Sequence, residues 1–246
     1  MTEVPLEPLA EDWDRALVVV AHPDDVEFGA AAAVARWTDQ GKTVVYVMVT
    51  SGEAGIDALE PDECRRVREA EEIDSARIVG VDTVEFLGFP DGVVESGVPL
   101  RAAIAEQIRR HRPDVVITGN HHPTWGGTTP NQPDHVAVGW STMHAAMDAG
   151  NRWIHREQLI EGLEPWGDVR QVWVAGSPEA GHAVDTTATF QRGVESLLAH
   201  QAYIDGLGWD DFDPAEMLAG ASRPAGERLG TEHACSFEVV SLTWGE

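Results

Sequence analysis

The sequence predicts an α/β fold: a Rossmann-like, mostly parallel sheet flanked by helices. Three observations carry this expectation. Apolar runs of strand length alternate with helix-length stretches along most of the chain, which is the pattern of successive βα units. The runs at 16–21 and 43–50 are almost continuously apolar instead of alternating, as strands covered on both faces by helices must be. Gly41 and Gly80 fall where a helical pattern stops and a strand begins, a position that favours a left-handed backbone.

The elements follow in order. An acidic lead over residues 1–13 reads as loose, and the first strand is Ala16–Ala21. One helix is expected over Val26–Gln40, closed by Gly41, followed by the central strand Thr43–Thr50. Ser51–Gly55 is a loop, Pro61–Val79 a charged helix ending at Gly80, and Thr83–Leu87 a strand. A helix over Leu100–Arg110 leads into the strand Asp114–Thr118. The stretch Gly119–Asp134 has no period and exceeds an ordinary βα connection, a length at which loops tend to be functional. Beyond it come a helix over His135–Ala149, a strand Gln171–Ala175, a helix over Thr187–Tyr203 and a strand Cys235–Leu242.

Residues 1–246 are read as a single domain, a length that supports a self-sufficient core. The net charge of −25, with Lys42 the only lysine, excludes a nucleic-acid partner, because phosphate backbones demand a positive footprint. An anionic membrane surface is excluded on the same ground, and no run reaches the roughly 18 apolar residues of a spanning helix. Cys64 and Cys235 have neither zinc-finger spacing nor a disulfide framework, so the expected location is the reduced cytoplasm. Trp153, Trp166, Trp173 and Trp209 are expected as core or interface anchors, and a homo-oligomer is compatible with the sequence.

Chemistry concentrates in His22-Pro23-Asp24-Asp25, directly behind the first strand. Ligands of open α/β sheets bind at this edge, and charges there must be hydrated, paired or bound to a metal. His22 and Asp25, three apart across a strand-to-helix turn with Pro23 between them, can face one crevice as two metal ligands. Asp24 stands beside them as a general base for a metal-activated water. His135, at the next helix start after the long loop, completes a set of two imidazoles and one carboxylate with an open fourth position, the composition of a catalytic Zn2+ site. Asp134 beside it is either a helix cap or a supporting carboxylate.

The motifs Ala21-His22-Pro23-Asp24-Asp25, Thr50-Ser51-Gly52-Glu53, Arg68 with Glu71, Phe86 to Gly92, Pro113 to Val116 and Pro133-Asp134-His135 occur in this order. In that order they resemble the PIG-L/LmbE-like zinc N-deacetylases. The resemblance spans about residues 16–150, with a weaker echo at His200. It implies an LmbE-like fold and hydrolysis of an N-acetyl group on an amino-sugar conjugate. By it, zinc is held by His22, Asp25 and His135, and Asp24 is the base. It places Arg68 and Asp91 against the sugar and Glu53 in the wall of the site.

One position departs from the family pattern. Gln132 stands where many members carry a histidine, and Pro130 where some carry tyrosine. An amide can donate to an oxyanion but cannot act as an acid, which leaves Asp24 to return the proton, with His121, His122 and His200 as further candidates. The loop His121–Thr129, with Trp125 as its aromatic face, reads as a wall against sugar or acyl group. Two alternatives stand beside the hydrolase: a catalytically altered metal-binding member, and a non-hydrolytic nucleotide-binding domain. The latter lacks the glycine fingerprint at its first turn.

Overall fold

The computed structural model describes residues 4–209 and 211–242. Strands β1 (Glu7–Pro8), β2 (Arg15–Val20), β3 (Thr43–Met48), β4 (Thr83–Phe86), β5 (Val115–Gly119), β6 (Gln171–Ala175), β7 (His182–Asp185) and β8 (Ala234–Ser241) share one sheet. Their order is β1-β7-β8-β6-β5-β2-β3-β4. Only β8 runs antiparallel to its neighbours, β6 and β7. The helices are α1 (Asp25–Gly29), α2 (Ala31–Asp39), α3 (Pro61–Ile78), α4 (Val98–His111), α5 (Pro133–Ala149), α6 (Arg156–Ile160), α7 (Phe190–Leu198), α8 (Gln201–Gly206) and α9 (Pro214–Leu229).

Alternation along the strands builds two cores, one on each face. Val18, Val20, Tyr46, Met48 and Trp173 pack toward α2 and α3. Leu17, Val19, Val47, Val116 and Val172 pack toward α4 and α5. Both side-chain sets are buried, which is why the central strands read as unbroken apolar runs.

The topology also fixes where a site can form. β2 pairs with β3 on one side and with β5 on the other: the chain steps outward from β2 through β3 to β4 and then crosses back to β5, where the direction of winding reverses. That is a switch point, and a crevice opens outside the carboxyl ends of β2 and β5. The His-Pro-Asp-Asp turn follows β2, and the long loop follows β5.

Several expectations change. The acidic lead is not loose where it is described: Glu7–Pro8 pairs with His182–Ala183, and Leu6, Leu9 and Trp13 are buried. Trp13 meets Trp37 edge-on at 5.3 Å between centroids, and Lys42 Nζ donates to the carbonyls of Glu11 and Trp13 at 2.7 and 2.6 Å. The net acidity hid three apolar anchors.

The single helix expected over 26–40 is two, broken at Ala30 (φ −137°). Gly29, a poor helix former, directly precedes the break. The helix expected over 187–203 is also two, broken at His200 (φ −83°, ψ 50°), whose imidazole is fully buried. The described residues also contain α6, β7 and α9, none of which was expected. Helix α9 carries Pro224 in its interior and starts on Asp213, whose carboxylate accepts the N–H groups of Ala215 and Glu216.

Candidate active site

Each side chain of the first turn is placed by the backbone around it. Asp25 opens α1, and its Oδ2 accepts the N–H groups of Ala21 and His22 at 3.0 and 2.9 Å. Its Oδ1 faces His135 Nε2 at 3.0 Å. His22 Nε2 lies 3.1 Å from Asp91 Oδ1 and 3.4 Å from Asp134 Oδ2, so the opposite nitrogen, Nδ1, is left toward Asp25, 3.6 Å away. The two imidazole centroids are 5.1 Å apart. One donor atom from each of His22, Asp25 and His135 falls within a 4.8 Å group.

This geometry fits a divalent cation, tested on the donor atoms themselves. His135 Nε2 is buried and makes no hydrogen bond, its one close polar neighbour being the carboxylate oxygen of Asp25 at 3.0 Å, a costly arrangement for two acceptor atoms unless a cation lies between them. Its other nitrogen, Nδ1, lies 3.0 Å from Asn131 Oδ1, which selects the tautomer with a lone pair on Nε2. Asp91 and Asp134 do the same for His22. Burial opposes protonation of both imidazoles, but the surrounding carboxylates outweigh it and raise both pKa values. Burial likewise opposes ionisation of Asp25, yet the two imidazoles hold its carboxyl well below the usual range. A crevice that attracts protons to its histidines in this way is electrostatically prepared for a cation.

Asp24 is different in kind. It adopts a left-handed backbone, φ 98°, an uncommon state for a residue other than glycine. The peptide is held there from several sides: its N–H donates to Glu72 Oε2 at 3.1 Å, and its carbonyl accepts Phe28 N–H at 3.1 Å. The side chain is 4 % exposed, with Oδ2 lying 3.1 Å from Arg68 Nη2. Burial pushes the Asp24 carboxyl up to about 6, against the pull of Arg68. A carboxyl tuned toward neutral pH beside a cation cradle suits a proton shuttle.

Arg68 is fixed by Gly52 and Pro23. It donates to the carbonyls of both and lies 4.1 Å over the Tyr203 ring. A Cβ on Gly52 would fall 2.2 Å from its guanidinium, so only glycine fits there. Arg68 lines the cleft, but its charge is committed to Asp24 instead of the helical partners Glu71 and Glu72. Asp91 also lines the cleft, yet its Oδ2 accepts Ala54 N–H at 2.9 Å and its Oδ1 faces His22. The sugar-contacting positions of the resemblance are therefore engaged within the protein.

Glu53 lies outside the cleft lining and accepts Asp91 N–H at 3.1 Å, tying two loops together. Asp134 caps no helix; its oxygens accept the N–H groups of Gly92 and Val94 at 2.7 and 3.1 Å. Gln132 precedes α5 and lines the cleft, as does Trp125, whose ring stands edge-on to His135 at 5.7 Å. The cleft measures about 720 Å³, room for a ligand of sugar size.

His200 does not reach the cleft. It is fully buried, with Nε2 3.6 Å from both Glu27 and Glu72. His121 and His122 form a separate pair, ring centroids 4.2 Å apart, beside Glu238. Three contributors went unread in the sequence. Asn131, one turn before His135, carried a visible signal in its spacing; Glu72 and Tyr203, three residues after His200, carried none. Of the four tryptophans read as anchors, Trp173 and Trp166 are in or against the core, whereas Trp153 and Trp209 are exposed.

The chain is similar to known deacetylases. The chain is 27% identical over 205 residues to the diacetylchitobiose deacetylase of Thermococcus kodakarensis, covering 82% of this chain and 75% of the relative. It is 31% identical over 198 residues to the 1D-myo-inositol 2-acetamido-2-deoxy-alpha-D-glucopyranoside deacetylase of Kineococcus radiotolerans, covering 67% of this chain and 52% of that enzyme, so it spans about half of the latter's length. In fold it matches the N,N'-diacetylchitobiose deacetylase of Pyrococcus horikoshii with a TM-score of 0.83 at 22% identity, covering 94% of this chain and 85% of the other. The family model described as PIG-L, GlcNAc-PI de-N-acetylase, matches residues 17–146. That match takes in more than half of the 246 residues, and the chain belongs to the PIG-L family.

Proposed function

We propose that this chain is a metal-dependent N-deacetylase that removes an acetyl or related acyl group from a small amino-sugar conjugate. His22, Asp25 and His135 are its metal ligands, Zn2+ its metal and Asp24 its base. The observation that carries the reading is the convergence of three donors from two distant elements beside a buried carboxylate. The relatives' names add that deacetylation of amino-sugar substrates occurs in this family. We also propose that residues 1–246 act as one domain in the cytoplasm; no helix among the described residues is long and apolar enough to cross a membrane.

When bound, zinc would supply Lewis acidity and a water acidified toward neutral pH. The residues do the rest. Asp24, ionised at neutral pH and held by Arg68, takes a proton from the attacking water. As the oxygen–carbon bond forms and the carbon–nitrogen bond breaks, the same carboxyl returns that proton to the leaving nitrogen, and the water's second proton follows it to the amine, giving a carboxylate and an ammonium group. Gln132, on the cleft wall, offers its amide N–H to the developing oxyanion. Asp91 and Asp134 keep His22 in one tautomer, and Asn131 does so for His135.

Gln132 also favours a second reading, a member that keeps its metal and has lost turnover. A panel of N-acetylated amino sugars and their conjugates separates the two. Acetate release that chelator abolishes and zinc restores is expected; zinc binding without acetate release from any member of the panel supports the second reading. A nucleotide-binding role is disfavoured by Asp24, Asp25 and Asp91 lining the crevice, because carboxylates repel phosphate.

A further inference from the structure

The geometry points to a second divalent-cation site, outside the first, built from His121, His122 and Glu238. Nothing in the hydrolase reading uses these three residues as ligands, and the inference stands without it.

His121 and His122 follow β5, and Glu238 lies on β8, a strand far away in sequence. One donor atom from each falls within a 4.8 Å group. His122 Nε2 and Glu238 Oε2 are already 2.8 Å apart, close to the roughly 3.3 Å that separates two donors on a tetrahedral zinc with bonds of about 2.0–2.1 Å. A simple His–Glu pair accounts for those two residues and leaves the third unexplained. His121 is 4 % exposed and its Nδ1 is buried without a hydrogen-bond partner, although a buried imidazole nitrogen is normally satisfied. Its ring is pinned between His122 and the edge of Trp140, and a Cβ on Gly139 would come 2.6 Å from its own. It is held beside the pair by packing.

The chemistry of the donors suits a cation. Ser177 Oγ donates to Glu238 Oε2 at 2.6 Å and holds the carboxylate beside the imidazoles. Two imidazoles and a carboxylate form a donor set that suits zinc and its borderline neighbours. His122 and Glu238 are partly exposed, leaving an entry path and a coordination place for water.

A cation here would also bear on the first site. The His122 carbonyl accepts Asn131 Nδ2 at 3.0 Å, and Asn131 Oδ1 faces His135 Nδ1. Clamping residues 121 and 122 to β8 would therefore steady the asparagine that orients His135.

The test counts metal in the full chain after equilibration with a small excess of Zn2+ and removal of unbound ion. The wild type should hold two equivalents, and His122→Ala and Glu238→Gln one each. His22→Ala/His135→Ala should also keep one. Zinc binding that both His122→Ala and Glu238→Gln leave at the wild-type stoichiometry, whether one equivalent or two, overturns the proposal; a single wild-type equivalent that these variants lose keeps it and counts against the first site instead. Should the double variant fail to fold, those two single variants decide the matter alone, since neither alters the first site's ligands.

Discussion

The two walls of the cleft are built on different principles. The turn after β2 is buried and crowded, and its polar atoms are tied to the protein: Asp25 to its own backbone, Asp24 to Glu72 and Arg68, His22 to Asp91 and Asp134. The loop after β5 is more exposed. It is a short bridged hairpin between Thr124 and Pro130, held at its base by Asn120 and Asn131, with Trp125 45 % exposed at its edge. One wall fixes charge and protons through short polar contacts; the other presents the face of one exposed aromatic ring, Trp125. This is the division expected where chemistry is preorganised on a rigid frame and selection is left to loops.

That contrast can be broken from the rigid side with the largest effect. Asp25→Ala removes a proposed ligand, the same carboxylate that fixes the Ala21 and His22 peptides, and should abolish zinc binding at the first site and turnover with it. Metal retention at wild-type affinity would remove Asp25 from the ligand set. Asn131→Ala tests the hinge between the two walls. It frees His135 Nδ1 and releases two loop carbonyls, and zinc affinity should fall about 10–100-fold, the usual cost of losing a partner behind a ligand. Unchanged affinity would mean that packing alone orients His135.

The pH profile probes the same wall without mutation. Asp24 carries a carboxyl raised to about 6, so the base form is present above that value and is lost as pH falls through it. A nearby cation favours the carboxylate; the acid limb of kcat/KM should therefore lie at or below about pH 6. A limb well on the alkaline side of neutrality would assign the base to another group.

The exposed wall should respond least. Trp125→Ala removes an aromatic face and should raise KM about 2–10-fold with little change in kcat, the scale of one aromatic contact. A large fall in kcat with KM unchanged would move Trp125 from binding into the chemistry.

The rigid wall was also the legible one. The strand, the proline and the three polar residues of the first turn sit side by side in the chain, so local rules sufficed. His135 was legible because a helix start follows a strand and a long loop. The internal contacts of Arg68 and Asp91 were not, because they cross 44 and 69 residues, and that of Arg68 depends on Gly52 leaving space for a guanidinium. The place of His200 was not legible for a related reason: it read as part of one long helix, whereas it sits at a break between two helices, buried beside Glu27 and Glu72. The lead at 1–13 misled because charge dominated its composition while three apolar side chains decided its fate.

In this mechanism the carboxylate of Asp24 moves the proton while three other side chains hold the metal. Asp24→Asn is the sharpest probe, because asparagine tolerates the left-handed backbone that would strain alanine. Zinc content and acetate release should be measured on the same sample. A full equivalent of zinc at the first site is expected, with turnover reduced about 10²–10⁴-fold; wild-type turnover with the metal in place would remove Asp24 from the proton's path.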